Sequence, residues 1–139
     1  MANPTTKSPA QRRYNMGILG CSTGYAAALF GATAYFGNHP DARSVTAYAA
    51  AIMPALLIIG MFFVIGRYLV EERDEYQRIL MVRQTLVASG LALSLATLWG
   101  FLESFDLAPH VDAYWLAVVW FAGLGLGACV NRLTLGRAA

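Results

Sequence analysis

The sequence predicts an all-α fold, a polytopic membrane four-helix bundle with both termini in the cytoplasm. Three observations carry that expectation. First, 58% of the 139 residues are apolar and only 13% are charged, against about 25% charged in a soluble domain. That is too little charge for a water-facing surface, so the composition argues against a soluble enzyme, a disordered chain, a disulfide scaffold and a domain with direct nucleic-acid contacts. Second, four stretches approach the roughly 20 apolar residues that a helix needs to cross a ~30 Å hydrocarbon core. Third, Lys and Arg are shared unevenly among the segments between those stretches.

Residues 1–13 read as a cytoplasmic tail, polar and proline-containing, and residues 14–139 as a single transmembrane domain. The first span covers about 16–36. Lys7, Arg12 and Arg13 ahead of it, with Ala32-Thr33-Ala34 near its end, imitate a cleavable signal. The run is long and broken by Ser22, Thr23 and Tyr25, so it reads as an uncleaved helix. The second span, about 45–70, contains AAAIMPALLIIGMFFVIG without a charge. Pro54 within it removes a hydrogen bond to the carbonyl of Ala50, which a membrane helix tolerates and which can also kink it.

The third span, about 79–102, has its apolar part from Thr85 onward; the fourth covers about 113–130. Trp99, Phe101, Tyr114 and Trp115 at their ends suit a membrane interface. With both termini inside, nine of the ten Lys and Arg residues fall on the cytoplasmic side and only Arg43 outside. The positive-inside rule then orients the chain as a multi-pass membrane protein with its N-terminus and C-terminus inside.

Small residues four apart let helix backbones approach closely. Gly20, Gly24, Ala28 and Ala32 form such a face on the first helix, and Gly123 and Gly127 form a GxxxG on the fourth. These glycines are expected to pack helices within one chain, or to form the seam of a homodimer. Within the third span, Ser89 or Thr97 can hydrogen-bond to a neighbouring helix.

Catalytic chemistry is not visible. No span carries an ionisable group near its centre, where such groups are costly and usually functional. Neither histidine lies in a span to hold a haem, and no GxSxG, HExxH or phosphate loop occurs. His39 and His110 lie in different outer loops, without the local spacing of a metal site. Cys21 and Cys129 both sit in apolar runs, where cysteine behaves as a small hydrophobe. A protein that is not an enzyme and holds no cofactor or metal is expected.

The unusual segment is RYLVEERDEYQRILMVRQTL, residues 67–86, which has no Gly or Pro. A turn is expected near Glu72 to Asp74, with Asp74 capping the third helix. Glu71 can meet Arg67, and Asp74 or Glu75 can meet Arg78, as in a salt-bridged hairpin. Alternatively the clustered acids form a docking surface for a basic cytosolic partner.

Residues 71–103 resemble a family of small four-helix bacterial membrane proteins. The resemblance rests on Glu72, Asp74, Glu75, Tyr76, Gln77 and Arg78, a D-E-x-Q-R hairpin, followed by an aliphatic helix that ends in Gly100, Phe101, Leu102 and Glu103. Arg83 departs from the acid more usual there. Such proteins often occur beside a short XRE-type helix-turn-helix regulator. The resemblance therefore implies a multi-pass protein of a bacterial inner membrane that binds and controls such a regulator through Glu71, Glu72, Asp74, Glu75, Tyr76, Gln77 and Arg78. The alternatives are an accessory subunit of a larger respiratory or photosynthetic membrane complex, or a small dimeric transporter.

Overall fold

A computed structural model describes residues 8–135, which form four α-helices and no strand: α1 (Pro9–Asn38), α2 (Val45–Glu71), α3 (Glu75–Ser104) and α4 (Tyr114–Leu135). The expected all-α fold with four helices is observed. Residues 1–7 of the expected tail, including Lys7, and Arg137 lie outside the described residues. Within the remainder of that segment, α1 already begins at Pro9. Ser8 accepts a hydrogen bond from the Gln11 backbone N–H (3.1 Å), and Pro9 occupies the first helical position, where a missing N–H costs nothing.

The described residues divide into two compact units between Glu72 and Arg73, each a helical hairpin. In the first, α2 buries Ala47, Met61 and Tyr68 and half-buries Pro54, so the inward face recurs every seven residues. That repeat is the mark of two helices packed at a shallow angle. The facing residues of α1 are small or aromatic. Tyr14 packs on Tyr68 with ring centroids 4.9 Å apart, and Gly24 faces Leu57. A Cβ at Gly17 would stand 2.9 Å from both methyls of Val64. At the other end, the Tyr35 hydroxyl lies 3.0 Å from that of Thr46. Pro54 sits within the continuous α2.

The second hairpin is closed by backbone contact. A Cβ at Gly123 would stand 2.7 Å from the Cα of Ala88, and one at Gly127 would stand 2.8 Å from the Cα of Gln84. The GxxxG face of α4 is therefore covered by α3 of the same chain. Gly20 differs: nothing lies within 4 Å of where its Cβ would be. Two polar bonds cross this hairpin. The Trp120 indole N–H donates to the Ser89 hydroxyl (3.0 Å), and the Asn131 amide donates to the Leu80 carbonyl (3.0 Å).

Three of the helices, α2, α3 and α4, are long and apolar enough to cross a membrane. Ser22, Thr23, Tyr25 and several glycines dilute α1, which is not among them. Large apolar side chains, among them Ile59, Phe63, Leu86 and Leu93, stand at least half exposed. A water-soluble monomer rarely leaves so continuous an apolar surface bare.

The backbone contact makes a prediction. Gly127→Leu should destabilise the second hairpin by about 1–3 kcal/mol, the usual range for overpacking. Gly125→Leu should be close to neutral, since no atom lies within 4 Å of its Cβ position. Denaturant unfolding of the two variants in the same detergent checks the difference.

Candidate functional site

The connector from Arg67 to Arg78 carries the acids singled out in the sequence, and each does a different task. Glu71, in the last turn of α2, accepts from Arg67 Nε at 2.6 Å and lies 3.5 Å from Arg13 Nη1 of α1. Glu72 is the C-cap of α2 and is only 5% exposed. Its carboxylate accepts from the Ser8 hydroxyl at 2.6 Å. Ser8 thus caps α1 and, through the same oxygen, ties the start of α1 to the end of α2.

Beyond the turn, Asp74 is the N-cap of α3, accepting from the backbone N–H groups of Tyr76 (3.0 Å) and Gln77 (3.4 Å). This is the expected cap, and Asp74 with Gln77 three residues on has the spacing of a capping box. Glu75, in the first turn, favours the positive end of the helix dipole. Its side chain is 78% exposed and lies 3.7 Å from Arg78 Nη2. Tyr76 is 56% exposed, Arg78 is exposed and Gln77 half-buried. Glu71, Glu72 and Asp74 therefore hold helix ends, while Glu75, Tyr76 and Arg78 face outward.

Ser8, Arg13, Trp120 and Asn131 take structural parts that the sequence reading did not assign. For Ser8 the signal was present: Ser-Pro-Ala-Gln is a cap, a proline and a Gln at the third helical position. Nothing in sequence spacing alone pairs Ser8 with Glu72.

At the opposite end of the second hairpin, α3 terminates in a Schellman turn. The Leu107 N–H donates to the Leu102 carbonyl (2.8 Å) and the Asp106 N–H to the Glu103 carbonyl (3.0 Å). Asp106 takes φ 56°, a position more often glycine. This turn leads the chain back so that His110 Nδ1 bonds the Glu103 carboxylate. His110 Nε2 lies 3.9 Å from Asp112. In the first hairpin, His39 stacks on Tyr35. Among the described residues no group of three or more His, Cys, Asp or Glu is arranged to hold a metal ion. Cys21 and Cys129 are free thiols.

Comparison of the chain with protein-family models, curated proteins and solved structures finds no match.

Two predictions follow from these ends. Replacing Glu72 with Ala removes the acceptor for Ser8, so amide exchange at residues 11–14 should rise, whereas Glu72→Gln, which keeps an acceptor, should raise it less. Hydrogen-exchange mass spectrometry of the two variants checks this. The hydrogen bond and charge of Glu103, with a smaller contribution from Asp112, raise the pKa of His110 above its ordinary value. The pair's stabilisation is therefore complete below the ordinary imidazole pKa and is lost as pH rises through the raised one. An NMR titration of the His110 ring should show a midpoint that falls towards the ordinary value in Glu103→Gln.

Proposed function

We propose that this chain is a multi-pass protein of a bacterial inner membrane, with four spans and both termini in the cytoplasm. It works by binding rather than catalysis. Lipid surrounds the helices, and the connector between α2 and α3 is presented to the cytosol. The partner is a cytosolic XRE-type helix-turn-helix regulator, as the D-E-x-Q-R resemblance implies.

The observation that carries this reading is the outward display of Glu75 and Tyr76 on the first turn of α3. Such regulators present a basic surface to DNA phosphates. A carboxylate beside an exposed aromatic ring offers that surface a charge partner and an anchor. Glu71, Glu72 and Asp74 serve the contact indirectly, by fixing the backbone on either side of the turn. The side assigned to the connector rests on the distribution of Lys and Arg, since α1 with its glycines and hydroxyl groups completes the even number of spans.

The exposed apolar surface favours a second reading, an accessory subunit packed against larger membrane subunits of a respiratory or photosynthetic complex. Bulky residues such as Phe63 and Trp115 are exposed, and large subunits could cover them as well as lipid does. A transporter dimer sealed through Gly123 and Gly127 has less support, because those glycines already pack on α3.

The test is a mild-detergent pull-down of the tagged protein, comparing the wild type with a Glu75→Lys, Tyr76→Ala double variant. A small basic helix-turn-helix protein should travel with the wild type at near-equal stoichiometry and be reduced at least about tenfold by the double variant, with insertion unchanged. Recovery of a large membrane complex in its place would overturn the regulator reading in favour of the subunit reading.

A further inference from the structure

We propose that the loop end of the α3–α4 hairpin is a binding site for an amphiphilic organic cation. This site is independent of the connector and of any cytosolic partner. The stripe of α3 that packs against α4 is buried at Ala88 and Ala92, but Ala96 and Gly100, the next residues in the same four-residue step, are exposed. Side chains this small leave space beside α4. The result is a groove of about 540 Å³ within this one hairpin, inside the range of roughly 300–1,000 Å³ typical of small-molecule sites.

The chemistry of the lining is one-sided. Leu95, Trp99, Trp115 and Leu116 form apolar walls, and the ionisable groups that line the groove are Glu103 and Asp112, both acids. An apolar body fits the walls, and a positive charge fits the mouth. The Trp99 indole N–H donates to the Pro109 carbonyl at 3.2 Å, which fixes one aromatic wall, and indole faces attract cations. His110, bonded to Glu103 and 3.9 Å from Asp112, offsets at most one of the two carboxylates, so the mouth keeps a net negative charge. An anionic occupant would meet that remaining negative charge, and a purely apolar one would leave it unmatched.

The experiment uses the full chain in phosphatidylcholine nanodiscs. Equilibrium dialysis measures binding of tetraphenylphosphonium, with tetraphenylborate as a probe of the same size and opposite charge, each corrected for empty nanodiscs. Saturable binding of the phosphonium alone is expected. Glu103→Gln with Asp112→Asn, close in size to the wild type, should weaken it about tenfold or more. Gly100→Leu, which fills a position with nothing within 4 Å, should also weaken it while the two acids remain in place. Circular dichroism of both variants confirms that the helices are retained. Equal binding of the two probes would make the groove a lipid-chain crevice and overturn the proposal. Absence of saturable binding would mean that another part of the chain or bound lipid fills the groove, and would equally overturn it.

Discussion

The close approach of two helix backbones at Ala88 with Gly123 and Gln84 with Gly127 is the constraint on which the second hairpin depends. A chain with this little charge has few specific side-chain pairs to spend between helices. Where lipid surrounds the helices, apolar burial also gives little reason for one helix to prefer another over the acyl chains. What remains is van der Waals contact at short range, and glycine on α4 lets the backbone of α3 come that close. Once the backbones touch, the two polar bonds, Trp120 to Ser89 and Asn131 to Leu80, fall within reach and set the register. Each is individually modest, averaging about 0.6 kcal/mol in membrane proteins, so they select the pairing more than they provide its stability.

The first hairpin solves the same problem differently. Its glycines receive side chains, Val64 at Gly17 and Leu57 at Gly24, as knobs entering holes. Its ends are tied by polar groups: Ser8 with Glu72 and Arg13 with Glu71 at one end, Tyr35 with Ser44 and Thr46 at the other. This distribution accounts for the acidic connector. Helix termini leave backbone groups unsatisfied, and here α2 ends and α3 begins within four residues, with no glycine to end one or proline to begin the other. Asp74 completes the N-terminus of α3, whereas the carboxylates of Glu71 and Glu72, being acceptors, leave the last carbonyls of α2 alone and tie that end to Arg13 and Ser8 of α1. Three of the four carboxylates are thus engaged at helix ends, and Glu75, beside Arg78, is left facing outward.

How legible this was depends on the range of each interaction. The four helices, the cap at Asp74 and the Arg67–Glu71 pair are local: each is set by residues within one or two turns, and each can be read from spacing. The start of α1 was equally local, and the Ser-Pro-Ala-Gln pattern at residues 8–11 encodes it, but the polar character of the segment pointed to a tail. The partners of the glycines were not legible. Gly20 and Gly24 belong to one four-residue stripe, yet only Gly24 meets another residue, because a repeat of seven along the interface alternates steps of three and four and carries Gly20 off the contact face. Gly17, three residues before Gly20, takes the place instead. Likewise the pairing of His110 with Glu103 depends on a turn whose left-handed residue is Asp106, where glycine would have been the readable signal.

The two ends of the second hairpin differ in a way that bears on function. Near the connector, small residues on α4 face the backbone of α3, and the helices are locked together. Toward the other end, the small residues Ala96 and Gly100 lie on α3 opposite Trp115 and Leu116, but these large side chains stand at 49% and 41% exposure rather than filling the space. Close packing would need the rings to turn inward, which the bond from the Trp99 indole to Pro109 opposes for that ring. The loop that supplies Pro109 also supplies His110 and Asp112, so one short segment both props the groove open and furnishes charge at its mouth. A hairpin built only to span a bilayer gains nothing from such an arrangement. The same glycine-and-alanine stripe therefore serves as a seal at one end and as the floor of a cavity at the other, according to whether the facing helix brings glycine or tryptophan.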